Sequence, residues 1–303
     1  ARSLELDKAT DGDVVVSTIR FHSDGQELRV QGGKLAGLLE GRDQTVLAMR
    51  DELDTLARAI ISQVNTLHAG GQGLLGWSTA EATLAVRDAW APLWAESLLP
   101  PTATGSFEIK VRSAGADQTE TFSIHVDPSG SLQDLATGIT AALATRHPSV
   151  TASVTNEGRL RIASSDPDLT FTFANDVSGA LAGLGLGTFF TGRSASEMDI
   201  NQAVEDETRL IATGRGDGPT DSSNIAAIAA LRDAKLLDNE GASLEEYYQG
   251  VVGALGVNRA QARDLLENQR TVDDHLLNER SALSGVNIDD ESLDLIRYQR
   301  AYQ

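Results

Sequence analysis

The chain has 303 residues, no cysteine and a formal net charge of -19, and 41% of its residues are hydrophobic. An acidic surface repels polyanions, so we expect neither nucleic acid nor a membrane as a partner. The composition excludes disulfides, thiolate catalysis and cysteine-ligated zinc within these residues. The length and the apolar content favour a globular protein of two or three domains.

The first stretch, residues 1–30, contains short apolar runs on either side of turn-prone sequence such as Ser23 to Gln26. Such runs are typical of strands, so we predict a β-hairpin region here. The glycine-rich run that follows, residues 32–43, carries Lys34 but lacks the spacing of a Walker loop. We therefore predict no nucleotide site and no cofactor.

A long amphipathic helix is predicted next. From Val46 to Leu67 the apolar residues recur alternately three and four apart, which is the seam of a coiled-coil helix. Such a helix is about 35 Å long. His68 has no second ligand at metal spacing, and we interpret it as a helix-end residue near the negative end of the dipole. The G-x-G-x-x-G match at residues 71–76 follows a helix rather than a strand, which argues against a dinucleotide site.

Residues 78–102 are predicted to be a linker or helical segment, interrupted by Pro92. Two tryptophans in it, Trp90 and Trp94, are compatible with a sugar or aromatic-ligand shelf. Core packing or a wedge between domains is the interpretation that we favour.

A β-rich α+β insert is predicted for residues 103–190. Five segments alternate apolar and polar residues, as half-buried strands do. A helix lies between the second and third strands, with Ser131 as its N-cap and Asp134 three residues later. The strand segments are 107–111, 122–126, 150–154, 160–162 and 169–173.

The C-terminal part is predicted to be helical. A second three-four seam runs from Leu244 to Leu283 and predicts a helix of about 60 Å. A turn at Gly285 and three acidic residues from Asp289 then open another helix. This apolar pattern is still running at Gln303, and the chain begins with alanine, so we expect it to belong to a longer protein. Residues 31–77 and 200–303 would together form one discontinuous helical core domain.

Several motifs resemble flagellar axial proteins. The last twenty residues, SGVNIDDESLDLIRYQRAYQ, are similar to their C-terminal signature, and residues 32–43 resemble an element of the hook-associated protein 1 (FlgK) family. Val64, Asn65, His68 and Gly71 match the family pattern LxxxVNxxHxxG. Residues 189–192 resemble the same family, and the insert resembles the hook IN motif.

The resemblance implies an α+β multidomain fold, in which a long coiled-coil-like helical bundle domain carries a small β-rich insert. It implies a structural, non-enzymatic protein of the hook-filament junction of the bacterial flagellum, secreted for motility without a signal peptide through the flagellar type III system. The implied partners are other copies in a ring, the hook protein, the second junction protein, and an export chaperone acting through a missing C-terminal segment. Terminal coiled-coil segments of the family are expected to lie outside this sequence.

We predict that the helical core or the interface between neighbouring subunits contains Val286, Asn287, Leu293, Ile296, Tyr298, Gln299 and Tyr302. We predict no catalytic residue and no metal site. Scattered carboxylates would suit a peptidoglycan hydrolase, but none lies in a strand-end or cleft context that shifts its pKa. A secreted adhesin or binding module that uses the β-rich insert is the alternative function.

Overall fold

The structure is a computed structural model that describes residues 3–11, 14–28, 30, 32–114, 119–216, 218, 220–237, 241–284 and 288–303. Residues 1–248 form one compact unit and residues 249–303 form a second, and each is described by itself.

The described residues form helices and several small sheets, which makes the fold α+β. The helices are α1 (Gly33–Glu40), α2 (Leu47–Ala69), α3 (Leu132–Leu143), α4 (Ala180–Leu184), α5 (Gln202–Asp206), α6 (Ser223–Ala230), α7 (Leu244–Ser284) and α8 (Ile288–Tyr302). The strands are β1 (Leu4–Asp11), β2 (Val14–Phe21), β3 (Thr79–Glu81), β4 (Gly105–Ser113), β5 (Thr119–Val126), β6 (Val150–Val154), β7 (Leu160–Ser164), β8 (Leu169–Ala174), β9 (Phe190–Thr191), β10 (Asp199–Ile200), β11 (Lys235–Leu237) and β12 (Ala242–Ser243).

Strands β1 and β2 form an antiparallel pair in which Leu4 lies opposite Phe21. Helix α1 follows and leads into α2 through a π-helical segment, Gly41–Val46. The long helices that the three-four alternation predicted are confirmed as α2 and the 41-residue α7. A coiled-coil bundle between helices stays a prediction.

The fully buried side of α2 differs from the predicted seam. Its innermost side chains include Ala57, Ile61, Asn65 and His68, whereas Leu56 and other seam residues are only half-buried. The reason is that α2 packs against several short elements, α4, α6, β9 and β11. Two of the buried residues are polar, so this packing needs specific hydrogen bonds.

Residues 77–187, called here the β-rich module, contain two three-stranded sheets. The strand orders are β5-β4-β8 and β3-β7-β6, and every pairing is antiparallel. The five predicted strands and the helix α3 between the second and third of them are confirmed. Aromatic and aliphatic side chains of both sheets and of α3 fill a continuous core, in which Phe107, Ile139 and Phe171 are completely buried.

Helix α3 begins with the predicted cap. The Ser131 hydroxyl accepts from the Asp134 main-chain N–H at 3.1 Å, and Asp134 Oδ2 accepts from the Ser131 N–H at 3.0 Å. This reciprocal pair is a capping box, which satisfies two main-chain donors at the start of the helix.

Residues 78–102 form a strand followed by turns, without a helix. Strand β3 pairs with β7, and Val86, Leu93 and Leu98 are buried in the core of the β-rich module. Proline at position 92 is incompatible with a continuous helix. The segment therefore contributes to the core of the module.

Within the described residues, none of the helices combines the length and the apolar character that a membrane span requires.

Candidate functional site

The predicted assembly residues lie at the C-terminal end of the chain. Val286 and Asn287 fall outside the described residues. On α8, Leu293, Ile296, Tyr298 and Tyr302 are exposed by 58%, 46%, 77% and 95%, and Gln299 is exposed too. Their role in an interface stays a prediction.

Helix α7 also carries exposed apolar side chains at positions of the predicted seam. Leu265, Val272 and Leu276 are 69%, 50% and 54% exposed. The helix continues through Gly253 and Gly256, where an added Cβ would meet no atom within 4 Å. Large apolar groups in water are unfavourable, which makes α7 and α8 candidate contact surfaces.

A second candidate site lies at the end of α2, where three buried polar side chains meet around a glycine. We call it the polar joint and define it as Asn65, His68, Gly71 and Asn224. It connects α2 to the segment 187–190 and to the main chain around Ala212.

Asn65 fastens the segment 187–190 to α2. Its Oδ1 accepts from the main-chain N–H groups of Phe189 and Phe190 at 3.1 and 2.8 Å, and its Nδ2 donates to the Phe190 carbonyl at 2.9 Å. Asn65 is only 5% exposed. One side-chain amide thus satisfies three main-chain groups that would otherwise lose hydrogen bonds on burial.

His68 bridges two stretches of chain that are far apart in sequence. Its Nδ1 lies 2.9 Å from the Gly187 carbonyl oxygen, and its Nε2 accepts from the Ala212 N–H at 3.1 Å. A carbonyl requires a donor and an N–H requires an acceptor, so the imidazole is neutral with its proton on Nδ1. Burial lowers the pKa of His68 and outweighs the hydrogen bond to Gly187, which raises it.

Asn224, on α6, completes the joint. Its Nδ2 donates to the carbonyls of Leu67 and Ala212 at 3.0 and 2.8 Å, and its Oδ1 accepts from Arg215 Nε at 3.1 Å. A Cβ at Gly71 would lie 2.3 Å from Asn224 Nδ2. Glycine is therefore the residue that lets Asn224 reach the end of α2.

The joint brings together three of the four residues in the LxxxVNxxHxxG pattern, since Asn65, His68 and Gly71 all belong to it. His68 lies in the last turn of α2, as the sequence predicted, and the residue is 3% exposed and bridges Gly187 and Ala212 in addition. Sequence reasoning missed Asn224, since one asparagine in an alanine-rich helix gives no sign of its distant partners.

For Trp90 and Trp94, core packing is the wrong interpretation, and a wedge between domains stays a prediction. They are 72% and 49% exposed, so neither is a core residue. The intervening Leu93, 1% exposed, is the side chain that anchors this segment in the module.

The joint is suited to holding segments of chain together. Apart from the bond between Arg215 Nε and Asn224 Oδ1, the hydrogen bonds of its side chains go to main-chain groups of other segments. Across the part of the chain that the structure describes, no group of three or more histidine or acidic side chains is arranged to hold a metal ion.

The N-terminal part of the chain is similar to a known protein family. The family profile described as "Flagellar hook-associated protein FlgK helical domain" matches residues 1–81. This region is therefore similar to the helical domain of the FlgK family. It includes Asn65, His68 and Gly71, three members of the polar joint.

Two curated relatives carry the name flagellar hook-associated protein 1. The FlgK-family protein of Escherichia coli is 29% identical over 146 residues, which cover 44% of this chain and 27% of the relative. That of Bacillus subtilis is 31% identical over 84 residues, which cover 27% of this chain and 16% of the relative. The resemblance inferred from the sequence motifs is confirmed, and the chain spans about a quarter or less of these relatives.

Among solved structures, two of the flagellar cap protein FliD from Escherichia coli are similar. The D2-D3 domains are 20% identical, covering 44% of this chain and 59% of that one, and the D1-D2-D3 domains are 16% identical, covering 52% and 50%. The TM-score is 0.24 in both cases, so this likeness carries no argument about the fold.

Proposed function

We propose that this chain is a structural part of the bacterial flagellum that acts at the junction of hook and filament. The observation that carries the proposal is the match of residues 1–81 to the FlgK helical domain. Its proposed partners are other copies of itself in a ring, the hook protein, the second junction protein and an export chaperone. Its proposed place is outside the cell, reached through the flagellar type III system.

The exposed apolar side chains of α7 and α8 support the proposal in physical terms. Leu293 and Ile296 lie three apart on α8 and share a face of that helix. Burying such side chains against another chain contributes about 1.5–3 kcal/mol each. We assign them to the surface that packs during assembly.

The test replaces these two side chains in the full-length protein, expressed in a flagellated bacterium that lacks its own copy. Leu293→Ser with Ile296→Ser should reduce the fraction of cells with attached filaments, counted by electron microscopy. Asp294→Ser, on the same turn of α8, is the matched control and should leave that fraction unchanged. Immunoblots of secreted protein separate failed assembly from failed export.

A strain that lacks the protein and still builds attached filaments would overturn the junction role. Normal filaments with the double variant would overturn the assignment of the α8 side chains alone.

A further inference from the structure

A cavity of about 510 Å³ lies beside β3 of the β-rich module and is separate from the polar joint. Its size is within the usual range of small-molecule pockets. The wall combines an aromatic ring, a cation, an anion, hydroxyls and an amide, contributed by Trp77, Glu81, Thr83, Arg159, Thr191 and Gln202.

Arg159 supplies donors to this cavity. Its main chain exchanges hydrogen bonds with Thr155, at 2.8 Å from the Thr155 N–H to the Arg159 carbonyl and at 3.2 Å from the Arg159 N–H to the Thr155 hydroxyl. Its Nε forms an ion pair with Glu157 Oε2 at 3.7 Å and is buried without a hydrogen-bond partner among the described residues. A guanidinium offers five N–H groups, so it retains donors for a ligand.

Glu81 supplies the complementary acceptor. It lies on β3, it is exposed, and its carboxylate has no ion pair within 4 Å among the described residues. The two opposite charges thus line one cavity without pairing with each other. Thr83 and Thr191 also line the cavity, and a threonine hydroxyl is able both to donate and to accept.

The framework of the cavity is fixed by main-chain hydrogen bonds. Thr83 N–H donates to the Gly185 carbonyl at 3.0 Å, Ala82 N–H to that of Leu160 at 2.7 Å, and Asn201 N–H to that of Phe189 at 2.8 Å. Binding here therefore requires little ordering of the wall, which favours affinity. Trp77, 9% exposed, adds an apolar surface.

These groups select the chemistry of the ligand. A simple anion would meet the carboxylate of Glu81, and a simple cation would meet the guanidinium of Arg159, so both are disfavoured. A sugar ring presents hydroxyls that donate to Glu81 and accept from Arg159, and an apolar face for the indole. We propose that this cavity binds a saccharide ring.

The test measures binding to the intact chain by saturation-transfer difference NMR. The probes are N-acetylglucosamine, methyl glucoside and glucuronate, with free glutamate as a ligand of similar polarity that is not a sugar. We expect saturable binding of at least one sugar. Arg159→Gln and Glu81→Gln should each weaken it by about tenfold or more, because each replaces a charged hydrogen-bonding group with a neutral one, and hydrogen bonds to charged groups are the stronger ones.

The matched control is Arg87→Gln, which removes the same charge from an exposed position outside the cavity and should leave binding unchanged. Thermal unfolding of every variant verifies that the module is folded. If one of the two cavity variants does not fold, the other still tests the proposal. Absence of binding by all three sugars overturns the proposal. So does preference for glutamate, or sugar binding that both cavity variants retain.

Discussion

His68 fits the polar joint only as a neutral imidazole, since Nε2 must accept from the Ala212 N–H. Its pKa in the folded chain is lowered from the ordinary value of 6.5. As the pH falls through 6.5, His68 therefore binds a proton in the unfolded chain, whereas in the native chain it does so only at a lower pH. The stabilisation is present above pH 6.5 and is lost as the pH falls toward the native pKa and below it.

We therefore expect the free energy of unfolding to fall between pH 7.5 and pH 5 by more in the natural chain than in His68→Gln. Urea denaturation at both pH values measures this difference. His22→Gln is the control, because His22 is exposed and pairs only with Glu5 among the described residues. An identical pH dependence in the natural chain and in His68→Gln would contradict the assignment.

Gly71 tests the close contact in the joint. Gly71→Ala places a methyl group 2.3 Å from Asn224 Nδ2, and relief of that clash breaks hydrogen bonds to Leu67 and Ala212. We expect a loss of about 2–4 kcal/mol in the free energy of unfolding, measured by denaturant titration.

The matched control for Gly71 is Gly138, inside α3, where an added Cβ meets no atom within 4 Å. Gly138→Ala should stabilise the chain by about 0.5–1 kcal/mol. Equal effects of the two substitutions would contradict a role for the close contact between Gly71 and Asn224.

At this scale the sequence supplies the spacing of a motif but not its partners. Asn65, His68 and Gly71 stood out by resemblance, yet their contacts come from Gly187, Ala212 and other residues over a hundred positions away. Hydrogen bonds of this kind depend on tertiary structure, which local pattern does not encode. The lowered pKa of His68 has the same origin in burial.

Among the elements, α3 gives a prediction that depends on its cap. Ser131→Ala removes the acceptor for the Asp134 N–H and should lower the free energy of unfolding of the module by about 1 kcal/mol. Ser153→Ala, at an exposed position of β6, should change it by less than about 0.5 kcal/mol. Thermal denaturation of the two variants side by side measures the difference, and equal values would contradict a role for the cap.

Strands β4 to β8 and helix α3 of the module followed from the sequence because alternation and capping are local signals. Its strands bury every second residue, and the Ser131 cap stands three positions before Asp134. For α2 the periodicity identified a helix, whereas the buried face was set by the short elements packed on it. Trp90 and Trp94 show the same limit, since core packing was one of the two interpretations that we favoured, and the two residues are 72% and 49% exposed.

For the whole molecule, the prediction concerns where the β-rich module begins. The insert was expected at residue 103, but Ala80, Val86, Leu93 and other residues before it are buried in the same core. A truncated chain of residues 77–187 should fold cooperatively in isolation. A truncated chain of residues 103–187 should not fold cooperatively, because it lacks β3 and the other buried residues before position 103.

Urea denaturation followed by circular dichroism compares the two truncated chains. Non-cooperative unfolding of the chain of residues 77–187, without a folded baseline, would contradict a module that begins at residue 77. Equal cooperativity of the two chains would contradict it too.

The path of the chain at the end of α2 has a consequence for how such proteins diversify. The chain leaves α2 through residues 71–76, which bond to Arg209 and Gly214, and it comes back at Gly187, whose carbonyl meets His68. The residues between these two points, 77–186, therefore begin and end next to the C-terminal end of α2. Insertions and deletions within residues 77–187 leave the contacts at the end of α2 in place. A change at Asn65 or His68 removes the hydrogen bonds that hold residues 187–190 to α2. We therefore expect length variation among homologues to concentrate within residues 77–187 and the residues of the joint to change slowly.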